Sequence, residues 1–134
     1  MTSVDLDGVL AANHAFYAAF EARDLDAMSK AWEHSDRVVC THPGWATLQG
    51  WGRVAASFFA LFQNAQRLQF ILTDEKAEVV GDVAWVAVDE NILDTANATT
   101  VAALNLFTRD EAGEWLMVAH HASAISASDT GGAA

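Results

Sequence analysis

Val83-Ala84-Trp85-Val86-Ala87-Val88-Asp89-Glu90-Asn91-Ile92-Leu93-Asp94 is bounded by Gly81-Asp82 on one side and Thr95-Ala96-Asn97-Ala98 on the other. A run rich in β-branched and aromatic residues between turn formers reads as one long strand. Three neighbours read the same way: 67–80, 99–109 and 114–126, the last after Asp110-Glu111-Ala112-Gly113. Consecutive strands joined by short loops pair antiparallel. The second half of the chain is therefore expected to be a four-strand antiparallel meander.

The first half has a different period. Leu6, Val9, Leu10, Asn13, Phe16, Tyr17 and Phe20 follow i, i+3, i+4, i+7 spacing, which predicts an amphipathic helix over 4–23. Asn13 interrupts its apolar face, either as a stripe-edge residue or as a polar group facing a cavity. Asp24 caps a second helix from Leu25 to about Glu33, and Gly50 precedes a third over about 51–64. Between them, Arg37 to His42 reads as a first strand. Helices followed by strands make an α+β domain. A long twisted sheet curls, so three N-terminal helices are expected to close over its concave face. The result is a cone-shaped domain with a pocket at its open end. The whole chain, 1–134, reads as a single domain, ordered over about 4–126 with a flexible small-residue tail at 127–134.

Charge narrows the partners. Seven basic residues against eighteen acidic ones give a net charge of −11. Such a field repels phosphate backbones and anionic membranes, so neither nucleic acid nor membrane is an expected partner. No apolar run is long enough for a spanning helix. The N-terminus lacks the basic and apolar regions of a secretory signal. One cysteine, Cys40, excludes an internal disulfide. A cytoplasmic location is the expectation.

The candidate chemistry centres on Val38-Val39-Cys40-Thr41-His42-Pro43-Gly44-Trp45. A strand-like run ends in a histidine, and the chain's only proline then stops strand pairing. His42 is therefore fixed at a strand end beside Trp45. Histidine is also the side chain whose ordinary pKa lies nearest neutral pH. The late strands add Asn105 and the tandem pair His120-His121, of which only one can face the cavity. Asn105 is either a structural asparagine or a hydrogen-bonding group in the pocket. Trp85 is read as pocket wall. Asp89 shares its face by the period of two, and Glu90 lies on the other. Cys40 and His42 share a face, and either His120 or His121 would complete a Cys-His-His set of the kind zinc accepts. No Cys-x-x-Cys or His-x-x-x-His spacing supports it, so neither metal nor cofactor is expected. Gly-rich phosphate loops and nucleophile elbows are also missing.

Several strings resemble the nuclear transport factor 2-like superfamily, in its SnoaL-like and ketosteroid-isomerase-like branches. They are Phe16-Tyr17-Ala18-Ala19 leading to Asp24-Leu25-Asp26-Ala27-Met28, His42-Pro43-Gly44-Trp45, and Gly113-Glu114-Trp115-Leu116-Met117-Val118-Ala119-His120-His121-Ala122-Ser123. The resemblance covers about residues 4–126. In the isomerase pattern a general-base carboxylate precedes a proline at the end of the first strand, where this chain has His42. The tyrosine slot falls on Phe16 and the protonated aspartic acid slot on Asn105. A gapless extension turns His120, not His121, into the cavity.

The resemblance implies a small-molecule pocket and a cofactor-independent isomerase, dehydratase or cyclase acting on an apolar substrate. In that reading His42, Asn105 and His120 carry the chemistry, and Phe16, Trp45, Trp85, Asp89 and His121 surround it. The alternative is a non-catalytic binding or sensing module for a hydrophobic metabolite, or a dimeric interaction domain. Apolar residues on both faces of the late strands, among them Val86, Ile92, Leu104 and Leu106, point to a homodimer through the convex sheet face.

Overall fold

The computed structural model describes residues 3–64 and 67–125. In chain order the elements are α1 (Ser3–Ala22), α2 (Leu25–Ala31), β1 (Val39–Thr41), β2 (Leu48–Gln49), α3 (Trp51–Phe62), β3 (Gln69–Val80), β4 (Val83–Leu93), β5 (Ala98–Arg109) and β6 (Trp115–Ala124). The expected α+β architecture is present: three helices pack on a six-stranded, mostly antiparallel sheet in the order β2-β1-β6-β5-β4-β3. The long meander pairs antiparallel throughout. β1 is the exception, lying parallel to β6 with Cys40 opposite His120. That pairing brings the His42 loop beside the last strand. The expected limit of the ordered region at 126 and the expected tail at 127–134 lie outside the described residues.

Local chemistry sets the joints. α1 stops where Arg23 takes a left-handed backbone, φ 53°. The Asp24 amide then reaches back to Ala19 O (3.0 Å) and the Arg23 amide to Phe20 O (3.1 Å), the paired bonds that close a helix through a left-handed residue. Asp24 immediately caps α2 by accepting from the Ala27 amide at 3.1 Å. Gly50, at φ 92°, turns the chain from β2 into α3.

Two bulges shape the sheet. One lies in β3 between Thr73 and Lys76, where Asp74 has φ 56°. The other lies between β5 and β6, where Leu106 pairs with Ala119 but Phe107 pairs with Met117. Trp115 and Met117 face inward; without an extra residue, strict alternation would carry 119 and 121 inward too. The bulge shifts the phase, so His120 and Ala122 are buried and His121 is exposed.

The core lies between the helices and the concave face. Phe16, Phe58, Trp32, Met28, Phe107 and Met117 are fully or almost fully buried. Phe16 sits at its centre, edge-on to Tyr17, Phe20, Trp32 and Phe58. Truncating such an aromatic to alanine costs roughly 3–5 kcal/mol. Among the described residues no helix is long and apolar enough to cross a membrane.

Candidate functional site

A cavity of about 270 Å³ opens where α1, α3 and the open end of the sheet meet. Its walls are apolar: Phe20, Leu61, Phe62, Leu68, Phe70 and Ile92. Four ionisable groups line it, His42, Glu90, His120 and Arg23, with Pro43, Trp45 and Asn64 completing the lining. An apolar chamber with a few convergent polar groups is the usual form of a small-molecule site.

His42 is held from two directions. Its ring stands edge-on to Phe58 at 5.1 Å and to Trp45 at 4.9 Å between centroids. Its Nε2 lies 2.9 Å from Ser57 Oγ. The Ser57 hydroxyl donates its one proton to Val54 O at 2.6 Å, so His42 Nε2 carries the hydrogen in that contact and Nδ1 keeps the lone pair. Burial pushes His42 down to about 4, which leaves the ring neutral at pH 7. Cys40 lies within 3.6 Å of the same ring. Burial, aided by Glu90, pushes its thiol up to about 12, so it is not a thiolate nucleophile at neutral pH.

Glu90 and His120 are fixed by one buried hydrogen-bond network. Tyr17 donates its hydroxyl to Glu90 Oε2 at 2.5 Å. Asn105 Nδ2 donates to the Tyr17 oxygen at 3.1 Å and to Asn13 Oδ1 at 2.8 Å. Both amide hydrogens are then spent, and Asn105 Oδ1 must accept from His120 Nδ1 at 2.6 Å. That assignment leaves the His120 lone pair on Nε2, 4.0 Å from Glu90 Oε2. Asn13 continues outward to Glu75 at 3.1 Å, and Glu75 meets His14 at 2.9 Å. Burial raises the Glu90 carboxyl to about 7, although the Tyr17 bond pulls it down. Burial first, then the nearby histidines His42 and His121, pushes His120 down to about 3. The Tyr17 phenol is raised by burial and by the Glu90 charge.

Several expected positions are corrected. Trp85, Asp89 and His121 lie on the opposite face of the sheet, away from the cavity. The inward set on β4 is Ala84, Val86, Val88 and Glu90. Glu90, assigned to the other face, is the pocket carboxylate. Phe16 is core beneath His120, ring centroids 4.9 Å apart, and does not line the cavity. Asn105 is buried behind the site with its donors committed, so it has no hydrogen to offer a ligand. Tyr17, next to Phe16, carries a buried phenol that donates to Glu90 and does not line the cavity. Trp45 does line the cavity, at its exposed edge. Among the described residues no three histidine, cysteine, aspartate or glutamate side chains are placed to hold a metal.

The family model for SnoaL-like domains matches residues 9–127. This chain belongs to the SnoaL-like domain family. Its fold is that of the nuclear transport factor 2-like superfamily. The SnoaL-like domain is 38% identical to a provisionally assigned dehydratase of the NTF2-like family from Streptomyces avermitilis, with TM-score 0.85 over 92% of this chain and 98% of that one. It is 39% identical to a provisionally assigned calcium/calmodulin-dependent protein kinase type II association domain from Thiobacillus denitrificans, with TM-score 0.75 over 87% and 94% of the two chains. It is also 26% identical over 121 residues to the F-box protein SKIP8 of Arabidopsis thaliana. That match takes in 90% of this chain, which spans about half the length of the plant protein.

Proposed function

We propose that this SnoaL-like domain is a cofactor-independent enzyme moving protons on a small, largely apolar substrate by isomerisation, dehydration or cyclisation. The carrying observation is the convergence of Glu90, His42 and His120 on one apolar cavity. The three groups differ in proton state. Glu90, near 7, exchanges a proton readily at neutral pH, which is where a general acid or base works best. His42, near 4, is a neutral imidazole whose Nδ1 carries the lone pair, with the Cys40 thiol 3.9 Å away. In a dehydration, His42 would take the proton beside the carbonyl and protonated Glu90 would deliver one to the departing hydroxyl. His120 stands beside Glu90, Nε2 4.0 Å from its Oε2, and is held there by Asn105. The likeness to the Streptomyces protein supports dehydration among the three reactions.

The test is proton exchange with solvent. A panel of β-hydroxy ketones, β-hydroxy acids and cyclic enones is incubated in D2O and followed by NMR for deuterium uptake and loss of water. For a compound that reacts, Glu90→Gln and His42→Gln are each expected to lower the rate by about 10²–10⁴. Exchange at the wild-type rate in both variants would refute the assignment.

The open face of the sheet supports a second copy of this chain as partner. Ile71, Trp85 and Leu104 stand there with 47%, 36% and 43% of their surfaces exposed. Large exposed apolar residues on one sheet face favour association.

A further inference from the structure

We infer that the pocket takes carboxylic acids, and that Arg23 at its mouth reads the carboxylate. This deepens the proton-transfer reading and rests on it only for the cavity.

Arg23 is the only cationic side chain in the cavity lining. It is half-buried, and its Nη1 donates to Asn64 O at 2.5 Å. That bond ties the end of α1 to the loop after α3 and holds the side chain at the opening. No carboxylate of the described residues forms an ion pair with it. By contrast, Arg37 and Arg109 are both engaged with acidic groups. In a chain of net charge −11, a guanidinium with free donors at a pocket mouth is a local reversal of the field. It would admit an anion that the rest of the surface repels.

The backbone adds an independent observation. Arg23 closes α1 in the left-handed conformation, φ 53°. Glycine is the usual residue at that position, because a Cβ there meets the following carbonyl. Strained non-glycine residues gather at ligand clamps. Here the side chain that carries the strain points to the cavity.

The division of labour follows from the lining. The carboxylate pairs with Arg23 through charge-assisted hydrogen bonds. The body of the acid lies against Phe20, Phe62, Leu68, Phe70 and Ile92, and the reacting end approaches Glu90 and His42. The volume, about 270 Å³, equals that of about nine waters at ~30 Å³ each. A monocyclic or short-chain acid is the size to displace them.

The test uses 3-phenylpropanoate, 3-phenylpropanamide and 3-phenylpropylamine as probes, titrated calorimetrically into the whole protein at pH 6, where Glu90 keeps its proton and the acid is ionised. Wild type is expected to bind the acid at least fivefold more tightly than the amide, and the amine least well. Arg23→Gly keeps the left-handed turn without strain, so its thermal midpoint is expected to be unchanged or higher. In that variant the acid and amide are expected to bind within a factor of two. Arg53→Gln, which removes an exposed cation outside the cavity lining, is expected to keep the wild-type preference. Equal binding of acid and amide by wild type, or a preference that survives Arg23→Gly, overturns the inference and leaves the pocket reading standing. Failure of all three probes to bind at millimolar concentration overturns the inference and counts against the pocket itself.

Discussion

Glu90→Gln tests the site without needing a substrate. The side chains are nearly the same shape, and the Tyr17 hydroxyl can donate to an amide oxygen as it does to the carboxylate. The difference is the charge. Glu90 is held near 7 against an ordinary 4.5, mainly by burial. Between those values the folded protein keeps a proton that the unfolded chain releases. Stability therefore falls as pH rises through that window, by about 1.36 kcal/mol per pH unit for a single group. The accumulated loss is roughly 3 kcal/mol by pH 8. Glutamine does not titrate, so the variant escapes it. The two histidines titrate alike in both proteins and cancel in the comparison to first order. Urea denaturation at pH 5, 6, 7 and 8 measures the outcome. The stability of Glu90→Gln relative to wild type is expected to climb by roughly 2.5 kcal/mol from pH 5 to pH 8, most of it below pH 7. Any fixed cost of fitting the amide appears equally at every pH. A difference that stays flat across the series would mean that Glu90 is not a buried, proton-holding carboxyl, and the acid–base reading would lose its central group.

Tyr17→Phe removes the donor that stabilises the Glu90 anion. The Glu90 midpoint, read from the pH dependence of stability or of exchange, is expected to move above 7. The loss should cost about 1–3 kcal/mol because an Asn105 hydrogen is left unpaired. The histidines predict acid sensitivity: both are neutral and depressed, His42 to about 4 and His120 to about 3 from an ordinary 6.5. The unfolded chain takes up their protons first, so stability present above 6.5 drains as pH falls through 4 and 3. Glu90 offsets one proton of that slope between 7 and 4.5, so Glu90→Gln should show a steeper acid decline than wild type by circular dichroism. At micromolar concentration light scattering is expected to give a dimer for wild type and a monomer for Leu104→Glu on the open sheet face. A monomeric wild type would refute the dimer.

The meander was legible because turn residues and strand composition agree at each boundary: Gly81-Asp82 and Asp110 to Gly113 sit where the chain reverses. The side of the sheet that meets the helices was not. β4 carries Val83, Trp85 and Ala87 on one face and Ala84, Val86 and Val88 on the other. Both sets are apolar, so a period of two defines two faces without ranking them. Trp85 drew Asp89 to the pocket side by bulk alone, and Glu90 was lost with that choice. No residue of β4 itself ranks the faces, since each carries one alanine, Ala84 on the inner and Ala87 on the outer. The network had no local signature at all. Asn105 meets Asn13 and Tyr17 across 92 and 88 residues of sequence. His120 owes its inward direction to the bulge opposite Leu106 and Phe107, which shifts the alternation set by Trp115 and Met117.

That network also limits the chemistry. The Asn105 amide hydrogens end on Asn13 and Tyr17, the Tyr17 proton ends on Glu90, and the Ser57 proton ends on Val54. A reaction that builds negative charge on a substrate oxygen needs a donor aimed at it. Arg23 stands at the mouth, its donors turned to the proposed carboxylate; of the three inner groups, His42 has its hydrogen on Ser57 and His120 has its hydrogen on Asn105. Protonated Glu90 is then the donor left to meet an oxyanion. The same carboxyl, once ionised, is a base and repels that charge. Proton donation to an oxyanion should therefore weaken as pH rises through 7, whereas abstraction by Glu90 should strengthen. The direction of the rate's pH dependence near neutrality would thus report which role Glu90 plays, and a rate independent of pH between 6 and 8 would exclude both.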